Sequence, residues 1–153
     1  MLEIKQKIQN VLSMGKDTSK GKNKEKIMIV TQEEAKKLQE ATGFNFKGYS
    51  HTIDKSGVNH VFNHHGKKRE NLRGQKIITE EDFFRIPTII KTYDSVQKPL
   101  NKEGEYAKSI TGNNLILYEK LFNDGVAYYV EEIRTGKKEL ALSTMWVIEK
   151  ESQ

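Results

Sequence analysis

Apolar residues fall first at helical spacing and then, after about Gly112, at alternating spacing. Leu2, Ile4, Ile8, Val11 and Leu12 recur as on one side of a helix, which predicts a short amphipathic helix over 2–12. From Lys16 to Lys26 no apolar residue occurs, and that stretch reads as a flexible basic linker. Residues 1–26 are therefore expected to be a helix and linker leading into a compact domain of residues 27–153. Within it, Ile27–Val30 is a short strand candidate, and Thr31 with Glu34 supplies a capping box for a helix running to Ala41 and stopped at Gly43. Tyr49–Ile53 reads as extended. A helix over 56–65 follows, with Val58, Val61, Phe62 and His65 on one apolar stripe, His60 and His64 on the other side, and Gly66 placed to end it in a left-handed conformation. After a polar loop, Lys67 to Gln75, Thr79 and the acidic Glu80-Glu81-Asp82 cap a helix over 80–92. It buries Phe83, Phe84, Ile86, Ile89 and Ile90, and Pro87 predicts a kink or break inside it.

In the last third, Leu115–Phe122 and Val126–Arg134 flank Asn123-Asp124-Gly125, a strong hairpin signal. A second turn at Thr135-Gly136-Lys137-Lys138 leads into Glu139–Glu149, giving a three-stranded antiparallel meander to which Ala107–Ile110 adds a further strand candidate. Helices first and strands afterwards predict an α+β fold, with the N-terminal helices packed on one face of a C-terminal antiparallel sheet.

Composition narrows the function. The absence of cysteine excludes disulfide frameworks, cysteine nucleophiles and thiolate zinc sites, and suits a reducing, cytoplasmic setting. No apolar run approaches a membrane span, and Met1-Leu2-Glu3-Ile4-Lys5 lacks the apolar stretch of a signal peptide. Twenty-six Lys and Arg against 21 Asp and Glu leave a net charge of +5, which favours an anionic partner, nucleic acid being the commonest. Part of that excess lies in the linker, where the plainer reading of the charge is that it keeps the segment solvated.

Three of the four histidines cluster in Asn59-His60-Val61-Phe62-Asn63-His64-His65-Gly66. Histidine exchanges protons near neutrality, so this segment is the first candidate for acid–base chemistry. The competing reading makes His65 a core histidine satisfied by one hydrogen bond and His60 and His64 members of a solvated helix face.

Further motifs follow in one order. Gly74-Gln75-x-Ile77-x-Thr79-x-x-Asp82 precedes a helix with Ile86-Pro87-x-Ile89-Ile90, then come Tyr93-Asp94, the hairpin, and a last strand with Leu140-Ala141-Leu142-x-Thr144-Met145-Trp146. Over roughly residues 45–150 this combination resembles the phage-associated branch of the barnase/EndoU/colicin/RelE-like (BECR-fold) ribonuclease superfamily, whose domains occur in phage, mobile-element and polymorphic-toxin proteins. The resemblance implies cleavage of RNA without metal or other cofactor, the ribose 2′-hydroxyl attacking the adjacent phosphate to leave a cyclic phosphate. His60 and His65 match the family's histidine motif and become the candidate base and acid, in either order. Thr144 would donate to a phosphate oxygen, Trp146 would stack a base, and Lys108 and Arg134 are candidate phosphate contacts.

Each assignment has a plainer counterpart. Strict alternation would put Leu140, Leu142, Trp146 and Ile148 on the face of Thr144, making that face the core. Lys108 and Arg134 are ordinary solvated strand positions, and His51 is a plain loop histidine. His60 and His64, with His51 or Asp54, form a weaker zinc candidate that lacks a metalloprotease glutamate. The rival function is a non-catalytic module that binds RNA or is recognised by a protein such as an immunity protein or inhibitor.

Overall fold

The computed structural model of the chain describes residues 2–15, 23–66 and 74–150. In chain order these form α1 (Leu2–Leu12), β1 (Lys24–Ile29), α2 (Gln32–Thr42), β2 (Ser50–Asp54), α3 (Lys55–His65), β3 (Gln75–Lys76), α4 (Glu80–Phe83), α5 (Ile86–Thr92), β4 (Ser95–Gln97), β5 (Leu115–Phe122), β6 (Gly125–Arg134) and β7 (Glu139–Glu149). Most of the expected linker (16–22) and most of the polar loop, with Lys67, Lys68, Arg69 and Arg73, lie outside the described residues.

The helix boundaries follow local chemistry. Thr31 caps α2 by accepting from the Glu34 backbone N–H at 3.2 Å, and Gly43 closes it at φ 80°. The capping box is only half made, because the Glu34 side chain turns away to His51. Asp54 caps α3 by accepting from Gly57 N at 2.8 Å. Gly66 ends α3 at φ −102°, not in the left-handed region expected; a Cβ there would meet the Phe62 carbonyl oxygen at 2.6 Å, so glycine is needed for close approach. The expected 80–92 helix is broken between Phe83 and Ile86, and Pro87 sits in the first turn of α5, where its missing N–H costs nothing.

The strands join one sheet ordered β1-β2-β7-β6-β5-β4, with β3 also pairing on β7. β5, β6 and β7 form the expected antiparallel meander. In the hairpin Phe122 pairs with Gly125, so the two-residue turn is Asn123-Asp124. Four details depart from the sequence reading. β1 starts at Lys24, inside the expected linker, where Lys24 pairs in register with Asp54 and its ammonium meets Glu139. β2 pairs parallel to β7, Ser50 with Glu139 through Thr52 with Ala141. β3 and β4, two and three residues long, are too short to show a period. Ala107–Ile110 forms no strand, only a single Lys108–Asn114 bridge, and Ile110 is fully exposed.

One face of the sheet is covered and the other open. Ile116, Tyr118, Ala127, Tyr129, Met145 and Val147 are buried beneath α5 and its neighbours, whereas Leu117, Tyr128, Trp146 and Ile148 on the opposite face are only half-buried. α5 and its neighbours thus cover one face and α3 flanks the edge of β7, giving an α+β fold. Ile8 and Val11 of α1 join the same core, and Lys55 Nζ donates to the Leu12 carbonyl at 2.8 Å.

A bulge at the centre of β7 decides what the open face carries. Val130 pairs with Thr144 but Glu131 pairs with Leu142, leaving Ser143 extra. Cross-strand partners share a face. Leu142 and Leu140 therefore turn to the covered face, while Thr144, Trp146 and Ile148 lie on the open one. The strict alternation expected for this strand is corrected by that one residue.

Among the described glycines, the one at the start of β6 has the least room for a side chain. Gly125 has φ 151°, and a Cβ there would lie 2.1 Å from the Ile148 carbonyl oxygen. Gly125→Ala is expected to cost at least about 1 to 3 kcal/mol through strain alone. Urea denaturation checks this; a loss below about 0.5 kcal/mol would show that β7 yields easily at Ile148.

Candidate active site

Helix α3 fills the edge of β7 between the two short pairings made by β2 and β3. Its first turn lies so close that a Cβ on Gly57 would sit 2.6 Å from the Leu142 carbonyl oxygen. This closeness carries the helix's histidines to the open face of the sheet. His60 and His64 are exposed one turn apart, with ring centroids 4.3 Å from each other. Partial burial, then the neighbouring charges of His64 and His65, lower the pKa of His60 below its usual 6.5.

His65 is half-buried, as the apolar-stripe reading expects, but what it meets is aromatic. Its ring stacks on Trp146 with centroids 5.9 Å apart at 26°, and Trp146 stacks on Tyr128, its direct partner across β6, at 5.2 Å and 12°. Gln75 Oε1 lies 3.1 Å from His65 Nδ1, so in the neutral ring it accepts the Nδ1 proton. Thr144, two residues before Trp146 on the same face, has a buried hydroxyl oxygen with no hydrogen-bond partner among the described residues.

Beside the bulge, His60, Ser143, Lys108, Thr111, Glu132 and Arg134 line a cleft of about 420 Å³. Arg134 is not a solvated strand residue. It is 8% exposed and its guanidinium donates to Asp54 at 2.7 Å, Glu132 at 3.0 Å and Glu139 at 3.4 Å. Burial opposes its charge, but Asp54 and then Glu132 raise its pKa further. Arg134 is a charge-compensated wall of the cleft. Lys108, on the exposed segment before β5, bonds to the Asn114 amide oxygen at the cleft rim. His60 and Lys108 thus share the cleft with Arg134, and His65, Thr144 and Trp146 lie along the same face towards the other end of β7.

His51 is also not a loop residue. It is fully buried in β2, its imidazole held between Glu131, 2.7 Å from Nδ1, and Glu34 on Nε2. Tyr118 and Tyr129 donate to the same Glu131 carboxylate at 2.7 and 3.5 Å. Burial lowers the His51 pKa, but the two carboxylates outweigh it and lift the value to about 10, so the ring is an imidazolium. With His51 so held and Asp54 bonded to Arg134, neither joins His60 and His64, and no three His, Asp or Glu among the described residues are placed to hold a metal ion.

Sequence reasoning missed Ser143 and Tyr128 at this site and took Asp54 only as a zinc-ligand candidate, not as the cap of α3 and partner of Arg134. Asp54 had a readable signal, since an aspartate directly before a helix marks an N-cap. Ser143 had none, because a bulge exists only relative to a partner strand. No described helix is long and apolar enough to cross a membrane. No curated protein and no solved structure matches the chain. Residues 28–153, almost the whole sheet and the helices on it, match the family described as phage-Barnase-EndoU-ColicinE5/D-RelE like nuclease3, and the chain belongs to that nuclease family.

Proposed function

We propose that this domain is an endoribonuclease of phage, mobile-element or toxin type that cleaves RNA without a metal. The observation that carries the reading is the meeting of the α3 histidines with the hydroxyl-bearing bulge of β7 on the half-open face of the sheet. A phosphodiester lying along that face would run from the cleft, past Thr144, to the Trp146 ring.

The chemistry needs a base for the 2′-hydroxyl proton, an acid for the departing 5′-oxygen, and donors for the charge that grows on the phosphate. His60, whose lowered pKa keeps it neutral at pH 7, takes the proton as the 2′-oxygen attacks phosphorus. His65 returns a proton to the 5′-oxygen as its bond to phosphorus breaks, leaving a 2′,3′-cyclic phosphate and a 5′-hydroxyl. Thr144, whose buried hydroxyl has no hydrogen-bond partner among the described residues, would donate to a phosphate oxygen on turning towards the RNA strand. Lys108 supplies positive charge at the rim, and Arg134 fixes the cleft wall. A small acidic immunity protein or inhibitor would find complementary charge in a chain carrying +5.

The purified protein is expected to shorten single-stranded RNA in EDTA, leaving 5′-hydroxyl ends that polynucleotide kinase labels directly and 3′ ends that resist ligation until the cyclic phosphate is removed. Retarded but uncut RNA would indicate a binding module instead, and cleavage abolished by EDTA would return the reaction to a metal.

A further inference from the structure

We propose that Tyr128 is the platform on which a nucleobase of the substrate strand stacks, an inference that rests on the open face being the nuclease site. Sequence spacing singles out Trp146 for that role, yet its indole already has two near-parallel neighbours, His65 and Tyr128. The three rings form a ladder that starts on α3, crosses β7 and ends on β6. It ends at Tyr128 because the next residue across the sheet, Glu119 of β5, carries no ring. Tyr128 is half-buried, in contrast with Tyr118 and Tyr129, which are closed into the core on the other face with their hydroxyls on Glu131.

The position suits a base. In an antiparallel pair Tyr128 lies directly opposite Trp146, and Thr144 is two residues, about 7 Å, along β7. A nucleotide whose phosphate is held near Thr144 would thus have its base over the end of the ladder. Stacking accepts any base, so the platform sets where along the strand the enzyme grips without demanding a particular sequence. The same ladder links the platform to His65, so a base seated on Tyr128 would be in register with the proton donor.

The test uses a short single-stranded RNA with 2′-O-methyl groups throughout, which removes the attacking hydroxyl and makes binding readable without cleavage. Tyr128→Phe should bind as wild type. Tyr128→Leu, which keeps apolar bulk but has no ring face, should bind about 5- to 150-fold more weakly, the equivalent of roughly 1 to 3 kcal/mol for one lost stack. Replacing one nucleotide at a time by an abasic residue should reveal a single position where base removal costs wild type as much as Tyr128→Leu does. At that position the variant should lose nothing more. Wild-type affinity in Tyr128→Leu with an unchanged melting temperature, or a penalty that adds to abasic loss at every position, overturns the platform. If that happens while unmodified RNA is still cut, the nuclease reading stands without it. Tyr128-dependent binding with no cleavage of unmodified RNA upholds the platform and ends the nuclease reading.

Discussion

His65→Ala is expected to slow RNA cleavage by about 10²- to 10⁴-fold while leaving a folded protein, because one proton-transfer group is lost and little else. His65 is half-buried at the end of α3, where its ring stacks on Trp146, worth roughly 0.5 to 1.5 kcal/mol, and bonds to Gln75 Oε1, worth about 1 kcal/mol more. The melting temperature should therefore fall by only a few degrees. If the histidine merely fills space beside Trp146, the pattern reverses, and the variant melts early yet cleaves normally while folded. Melting and cleavage measured on one sample separate the two. Normal cleavage by folded His65→Ala would remove it from the chemistry.

The largest effect on stability is expected at His51. Replacing it by Gln takes the imidazolium from between Glu34 and Glu131 and leaves two carboxylates facing each other inside the fold. Breaking a buried ion pair on one side costs about 3 to 5 kcal/mol. The same cluster predicts a pH dependence. The folded-state pKa of about 10 lies above the 6.5 of a free histidine, so the unfolded chain binds fewer protons than the folded one between those values. The stabilisation is complete below pH 6.5, declines as pH rises, and is lost above about 10. Urea denaturation at pH 6, 8 and 9.5 should show this fall in wild type and a much flatter profile in His51→Gln. Equal slopes in the two proteins would place the pH sensitivity elsewhere.

Two of the buried ionic clusters divide the labour between the faces of the sheet. His51, Glu34 and Glu131, with the two tyrosine hydroxyls, tie α2 to the covered side of the sheet. Arg134 with Asp54, Glu132 and Glu139 joins β2, β6 and β7 behind the cleft, and Asp54 at once caps α3 and anchors the guanidinium. The capping of the histidine helix and the building of the cleft wall are thus one event.

What the sequence determined by itself is whatever depends on neighbours in the chain. The Thr31 cap and Gly43 stop of α2, the break at Pro87, a hairpin turn within 123–125 and the antiparallel 115–149 meander all follow from spacing and turn chemistry, which act over a few residues. The order of motifs likewise carried the family, whose match over 28–153 begins earlier than the 45–150 resemblance. Only the tertiary structure decided which side chains meet. Pairing across strands cannot be read from one strand, so the Ser143 bulge, and with it the placing of Thr144 and Trp146 opposite to Leu140 and Leu142, appeared only when β6 was set beside β7. His51 reads as a loop residue because its partners are 17 and 80 positions away. Charge in a sequence signals solvent by default, and only a fold that brings carboxylates to a cation can bury it.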